Sequence, residues 1–167
     1  GPTESFAAAV VATHPHQALR LLAAPTARQR KILGAIDYQA KPAVLHTDES
    51  LLPHAPRARA SWNYQIRGDG GAVAVTYDLT RLMRLRLAKP RLLVTMGRTD
   101  LVRPATVLAE MTYEHPVYTT GSVAAQQRLG EIESDRLVFA GAYHGWGFHE
   151  DGAASGVRAA ARLGTDW

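Results

Sequence analysis

The chain has 167 residues, of which 46% are hydrophobic and 20% charged, and it contains no cysteine. This composition excludes a disordered or low-complexity chain, and the lack of thiols excludes disulfides and thiolate metal sites. The formal net charge is +4, and no apolar run approaches the roughly 20 residues that span a bilayer. We therefore expect a globular cytoplasmic protein without a membrane span.

The N-terminal part predicts a strand followed by two helices. Phe6 to Ala12 is a continuous apolar run, which is typical of a strand buried on both faces. Thr13 or His14 can then cap a helix that carries Pro15 in its first turn. A second helix is predicted from Thr26 to about Leu33.

The middle of the chain has the period-two pattern of a sheet. His46 is expected at a strand surface. Two strands that flank the glycine-rich segment 67–71 should pair antiparallel, since its residues accept the backbone conformations of a hairpin turn. The predicted elements, in chain order, are strands at Ala43–Thr47, Ala60–Ile66 and Ala72–Tyr77, a helix at Leu79–Leu87, and strands at Arg91–Met96 and Val107–Tyr113.

The densest basic segment, Arg81 to Arg91, lies within this middle part. Its arginines and lysine alternate with leucine and methionine, which indicates an amphipathic segment with one solvated face. No nucleic-acid-binding motif accompanies it. We therefore predict no nucleic-acid partner.

The C-terminal part of the chain again predicts a short buried strand and helices, as the N-terminal part does. A helix over Ser122 to Leu129 should start at Thr120 or Ser122, and a short strand, Arg136 to Ala140, precedes a glycine-rich loop and a final helix. A mixed, sheet-rich middle between two α/β pieces predicts an α+β fold. The predicted segments are 1–36, 37–118 and 119–167.

The stretch "AYHGWGFHEDGAASG", from Ala142 to Gly156, combines aromatic rings, two histidines, two adjacent acidic residues and four glycines within fifteen positions. A helix that starts at about Glu150 to Gly152 directs unpaired N–H groups and partial positive charge toward the loop before it. Between Arg136 and Arg158 there is no lysine or arginine. A delocalised ring anion or a carbonyl therefore suits this site better than a phosphate.

The longer stretch "FAGAYHGWGFHEDGAASG" resembles the C-terminal flavin-binding motif of the flavin-dependent amine oxidase superfamily. The chain also resembles a bacterial, amine-oxidase-like branch of NAD/FAD-binding proteins. The segments "VVATHPHQALRLL", "AVLHTDESLLP", "ASWNY" and "YEHPVY" occur in that branch in the same order. The resemblance thus covers nearly the whole chain.

The resemblance implies noncovalently bound FAD in an oxidoreductase that positions a small-molecule substrate against the flavin ring. It implies that Gly156 allows close packing of the last helix. The cofactor-binding residues that it implies are Gly141, Gly147, Phe148, Glu150, Asp151 and Gly152. The residues expected around the substrate are Trp62, Tyr64, Trp146 and Phe148.

The G-x-G-x-x-G turn that seats a dinucleotide pyrophosphate is missing from the sequence. We therefore expect the C-terminal part of a larger enzyme, whose N-terminal FAD-binding portion is its missing partner, and weak or no FAD binding by this chain alone. The strands Phe6–Ala12 and Arg136–Ala140 should then leave unpaired edges, through which we expect homo-oligomers.

Other chemistry has less support in the sequence. The spacing of His144 and His149 fixes no metal-ligand geometry, so no metal site is predicted. No nucleophile elbow surrounds Ser61 or Ser155. No general base is assigned. For Trp62 and Tyr64 the period-two pattern favours a buried aromatic layer over a substrate-cavity wall. For the whole chain, the alternative to part of an oxidoreductase is a noncatalytic binding domain of this fold.

Overall fold

The computed structural model describes residues 2–66, 73–86 and 90–165. In this part of the chain the helices are α1 (Pro15–Leu21), α2 (Ala27–Leu33), α3 (Leu79–Leu82), α4 (Thr120–Gln126) and α5 (His149–Arg162). The strands are β1 (Ala9–Val11), β2 (Tyr38–His46), β3 (Trp62–Gln65), β4 (Ala74–Asp78), β5 (Leu93–Gly97), β6 (Val107–Pro116) and β7 (Leu137–Phe139). The predicted α+β fold class is confirmed.

The chain folds as two compact units. Unit 1 comprises residues 1–39 and 116–167, and unit 2 comprises residues 40–115. Unit 1 holds the parallel pair β1–β7, and unit 2 holds most of a five-stranded antiparallel sheet in the order β3-β4-β5-β2-β6. The longest helix, α5, has 14 residues, and no helix of the described ranges is long and apolar enough to cross a membrane.

The core of unit 1 lies between its helices and strand β7. Thr26 caps α2 by accepting a hydrogen bond from the Gln29 amide at 3.1 Å, and the Gln29 side chain accepts from the Thr26 amide at 2.8 Å. This reciprocal box fixes the start of the helix. The buried residues that pack together are Ala18, Ile32, Leu33, Ile36, Ala125, Leu129, Ile132, Phe139 and Tyr143.

Strand β7 lies against β1 on one edge and against its own preceding turn on the other. Val11 pairs with Phe139 in the parallel ladder. On the far edge, the Leu137 amide donates to Ser134 Oγ and the Phe139 amide donates to Glu133 Oε1, each at 3.1 Å. Strand β7 therefore has no second strand neighbour in the described part of the chain, although side chains of its preceding turn bind two of its amides. Self-association through the edges of β1 and β7 stays a prediction.

Two predicted helix boundaries are wrong. Helix α4 starts at Thr120, which is one of the two predicted starts, because Thr119 caps it by accepting from the Ser122 amide at 3.0 Å, but it ends at Gln126 instead of the predicted Leu129. Helix α3 ends at Leu82, and Arg84 has a positive φ of 52°, which an α-helix does not accommodate. Leu82 and Met83 are both exposed, so the described part of the basic segment has no buried apolar face.

The sheet of unit 2 confirms the predicted antiparallel pairing of β3 with β4, in which Trp62 lies opposite Tyr77 and Tyr64 opposite Val75. The connection predicted at residues 67–71 lies outside the described residues. Strand β2 begins at Tyr38, five residues before the predicted start, and its C-terminal half pairs with β5.

One face of this sheet buries a row of polar side chains. The Asp48 amide donates to His46 Nδ1 at 3.0 Å, so Nε2 carries the ring proton and donates to Thr95 Oγ1 at 2.8 Å. Thr95 Oγ1 in turn lies 2.8 Å from Thr76 Oγ1. The expectation that His46 lies at a strand surface is wrong, because His46 is fully buried. Burial lowers the pKa of His46, although the negative charge of Asp48 acts to raise it.

Candidate functional site

The glycine-rich loop of unit 1 begins at a backbone position that excludes a side chain. Gly141 has a φ of +153°, and a Cβ there would lie 2.6 Å from the ring of Tyr143. Its amide donates to Ser155 Oγ at 2.8 Å, and Ser155 donates to Gly152 O at 2.7 Å. The end of β7 is thereby tied to the first half of α5.

Gln126, in the last turn of α4, fixes the middle of the loop. Its side-chain amide donates to Tyr143 O at 2.9 Å and to Gly145 O at 2.6 Å. Tyr118 also donates to Gly145 O, at 3.4 Å. Two side chains from outside the loop therefore hold carbonyl groups that would otherwise lack partners.

Asp151 closes the loop onto the start of α5. Its Oδ2 accepts hydrogen bonds from the amides of Trp146 and Phe148, each at 2.9 Å. A Cβ at Gly145 would overlap this carboxylate, and one at Gly147, where φ is +88°, would lie 2.9 Å from the Tyr118 hydroxyl. Both glycines are thus required by contacts within the protein itself.

Two aromatic rings of the loop remain open to solvent. Trp146 is 60% exposed and Phe148 is 69% exposed. The ring centroids of Tyr118 and Trp146 lie 5.4 Å apart at 48°, so one side of the indole is supported. These rings can contact a flat ligand that approaches the loop.

Helix α5 contributes a partial positive charge at the end of the loop. With 14 residues it presents a full set of first-turn amides and the positive end of its dipole. Glu150 and Asp151 lie in that first turn. A Cβ at Gly152 would make only ordinary contact with Ala142, at 3.7 Å, so packing does not require glycine there. The structure gathers the six predicted cofactor-binding residues into this loop and helix start.

These residues fit the ring of a flavin, but they do not form a binding site for the pyrophosphate of FAD. The exposed rings and the helix amides match a flat, electron-accepting group. A pyrophosphate needs a glycine turn at a helix start after a strand, and the sequence has no such motif.

Gly156, expected to allow close packing of the last helix, faces open space, since nothing lies within 4 Å of a Cβ built there.

The other predicted aromatic pair lies in unit 2, on the edge strand β3. Trp62 is 56% exposed and Tyr64 is 57% exposed, and their rings meet edge to face with centroids 6.0 Å apart. The favoured interpretation of a buried aromatic layer is therefore wrong. Both residues border a groove of about 330 Å³, together with Leu52, His54 and Gln65. That Trp62, Tyr64, Trp146 and Phe148 share one substrate cavity stays a prediction.

The side chains that hold the loop were not identified from the sequence. Gln126 lies 17 and 19 residues from the carbonyls that it binds, and Tyr118 lies 27 residues from Gly145, so no local pattern marks them. Asp151 carries a weak signal, since an acidic residue at the third position of a helix commonly binds the amide at the cap.

Comparison with known proteins gives no family. The sequence matches no model of a known protein family, and a search of curated proteins finds no match.

Proposed function

We propose that this chain supplies the flavin-facing part of an FAD-dependent oxidoreductase of the amine-oxidase type. The observation that carries the proposal is the loop before α5, which is fixed by Gln126 and Asp151 and leaves two aromatic rings exposed at the positive end of a helix. Such a surface favours a flat ring with electron-withdrawing carbonyl groups.

In the proposed arrangement, the first-turn amides of α5 stabilise negative charge on the pyrimidine edge of the ring. Phe148 and Trp146 exclude water from its face. A bound flavin would supply the centre that accepts a hydride from a C–N or C–C bond of a small-molecule substrate. The Asp151 carboxylate already accepts two backbone amides, so its role is to shape the loop.

The proposal includes a portion outside this chain. The seat for the pyrophosphate and adenine would come from an N-terminal FAD-binding portion, because this sequence has no dinucleotide-binding turn. The chain alone should then bind the flavin ring weakly and gain little from the rest of FAD.

The test uses riboflavin, which has the ring without the pyrophosphate and adenine. At a fixed micromolar concentration of riboflavin, titration with the purified chain should raise its fluorescence anisotropy with a Kd of roughly 0.1–1 mM, which corresponds to about −5 kcal/mol. FAD should bind within about threefold of riboflavin. Phe148→Ala should weaken binding by at least fivefold.

Phe6→Ala is the matched control, because Phe6 is a phenylalanine of unit 1 outside the loop that is 77% exposed, against 69% for Phe148; this variant should bind riboflavin as the parent chain does. If riboflavin does not bind up to 1 mM protein, or if both variants weaken binding equally, the proposal fails. A noncatalytic interaction domain would then be the better description.

A further inference from the structure

Unit 1 contains a cavity that is separate from the flavin-facing surface. Its volume is about 500 Å³, which lies within the range of small-molecule sites. Part of its wall comes from α5 and from the segment that follows α4, and none of the six predicted cofactor-binding residues lines it. Among the described residues, its wall includes Gln127, Glu133, Phe139, His144, Arg158 and Arg162.

The charges around this cavity do not cancel. Glu133 accepts a hydrogen bond from the Phe139 amide and lies 3.6 Å from the Arg162 guanidinium. Arg158 is exposed and forms no ion pair with any carboxylate in the described ranges. Two guanidinium groups therefore face one carboxylate, and one positive charge is left without a partner.

His144 is the fourth titratable group of the wall and adds no charge near neutral pH. Burial, together with the positive charge of Arg158, lowers the pKa of His144 to about 4. Its Nε2 is buried and has no hydrogen-bond partner among the described residues. The ring thus lies beside Arg158 with hydrogen-bonding capacity that the protein does not use.

From this geometry we propose that the cavity binds a small organic carboxylate, with the carboxylate on Arg158 and the apolar body against Phe139. A planar carboxylate matches the fork of a guanidinium, and a single negative charge balances the unpaired one. The Gln127 side chain at the cavity wall offers a further donor. The exposed rings of the flavin-facing surface do not line this cavity, but Gln126, His144 and Ser155 line it and also hold or belong to the glycine-rich loop.

The test compares benzoate with benzamide, which has nearly the same shape and no charge. Titration followed by NMR should give a Kd of about 1 mM for benzoate and at least tenfold weaker binding of benzamide. Arg158→Gln should weaken benzoate binding at least tenfold, and Arg158→Lys should restore part of it. Arg158 is exposed, so these variants should fold. Arg20→Gln, which changes an exposed arginine of α1, is the control and should bind benzoate unchanged.

His144 gives a second readout. Saturation with benzoate at pH 7, where the ligand is fully ionised, should shift the ring resonances of His144, because its ring lies in the cavity wall beside Arg158. The His144→Gln variant identifies the resonance. Equal binding of benzamide and benzoate, unchanged binding by Arg158→Gln, or no saturation by 10 mM benzoate, roughly ten times the expected Kd, would overturn the proposal.

Discussion

Arg103 and Asp48 form an ion pair in which the carboxylate is fully buried and the guanidinium is largely exposed. Arg103 Nη2 lies 2.8 Å from Asp48 Oδ1, and the Arg103 amide donates to Oδ2 at 3.0 Å. The Ser50 amide donates to Oδ1, also at 3.0 Å. Burial acts to raise the pKa of Asp48, but these hydrogen bonds outweigh it and hold that pKa well below its usual range.

The Asp48 ion pair predicts loss of stability in acid. Because the folded-state pKa is depressed, the contribution of Asp48 to stability is complete above the unfolded-state pKa of about 3.9 and is lost as the pH falls further. In urea titrations from pH 6 to pH 2.5, the free energy of unfolding should fall as the pH drops through about 4. Asp48→Asn should lower stability at pH 6 and flatten this dependence. Asp135→Asn, at an exposed carboxylate of unit 1, should leave the curve unchanged, and an equal effect of both substitutions would contradict this account.

Thr95 should be the most sensitive residue of the buried polar row. Thr95→Val keeps the shape of the side chain but leaves the Nε2 proton of His46 and the hydroxyl of Thr76 without their observed partner. An unsatisfied buried group costs about 1–3 kcal/mol, which a urea titration at pH 7 can measure. Thr95→Ser keeps the hydroxyl and should lose less than half as much. If the serine variant is as unstable as the valine variant, packing of the methyl group determines stability here.

The sequence predicts those parts of the fold that depend on neighbouring residues. The helix predicted from Thr26 to about Leu33 is confirmed as α2, whose start is fixed within one turn by the Thr26–Gln29 capping box. The strand before the glycine-rich loop and the helix after it were predicted for the same reason. Each of these features is determined by contacts over a few residues.

What the sequence could not predict depends on contacts between distant segments. His46 is buried because Thr95 and Thr76, from two other strands, lie beside it. A period-two pattern assigns residues to faces but does not say which face is covered, and Trp62 and Tyr64 lie on the exposed one. The cavity beside Arg158 combines residues more than 30 positions apart, so no local pattern reveals it.

Gln126 should control the order of the glycine-rich loop. Removing its side chain in Gln126→Ala leaves Tyr143 O without its side-chain donor and leaves Gly145 O with only the longer hydrogen bond from Tyr118. We expect at least a tenfold increase in amide hydrogen exchange across the loop residues 141–148, which corresponds to about 1.4 kcal/mol. Gln127→Ala is the matched control, since its exposed side chain has no bond to the loop. Equal exchange in the two variants would contradict the assigned role.

Asp151 should act on the loop through its two backbone hydrogen bonds and on Tyr118 through its charge. Burial, with the charge of Asp151, raises the pKa of Tyr118 above its usual value. Asp151→Asn removes that charge and should lower the pKa of Tyr118, measured as the difference in ultraviolet titration between this variant and the same variant with Tyr118→Phe. Glu150→Gln is the control, because Glu150 also lies in the first turn of α5 but is exposed. If Glu150→Gln lowers the pKa of Tyr118 as much as Asp151→Asn does, the loop in solution does not hold Asp151 beside Tyr118.

The two hydrogen bonds of Asp151 should also contribute to stability. Asp151→Ala and Glu150→Ala each remove a negative charge that interacts favourably with the dipole of α5. Asp151→Ala should lower the free energy of unfolding by about 1 kcal/mol more than Glu150→Ala does, and this difference isolates the hydrogen bonds to Trp146 and Phe148.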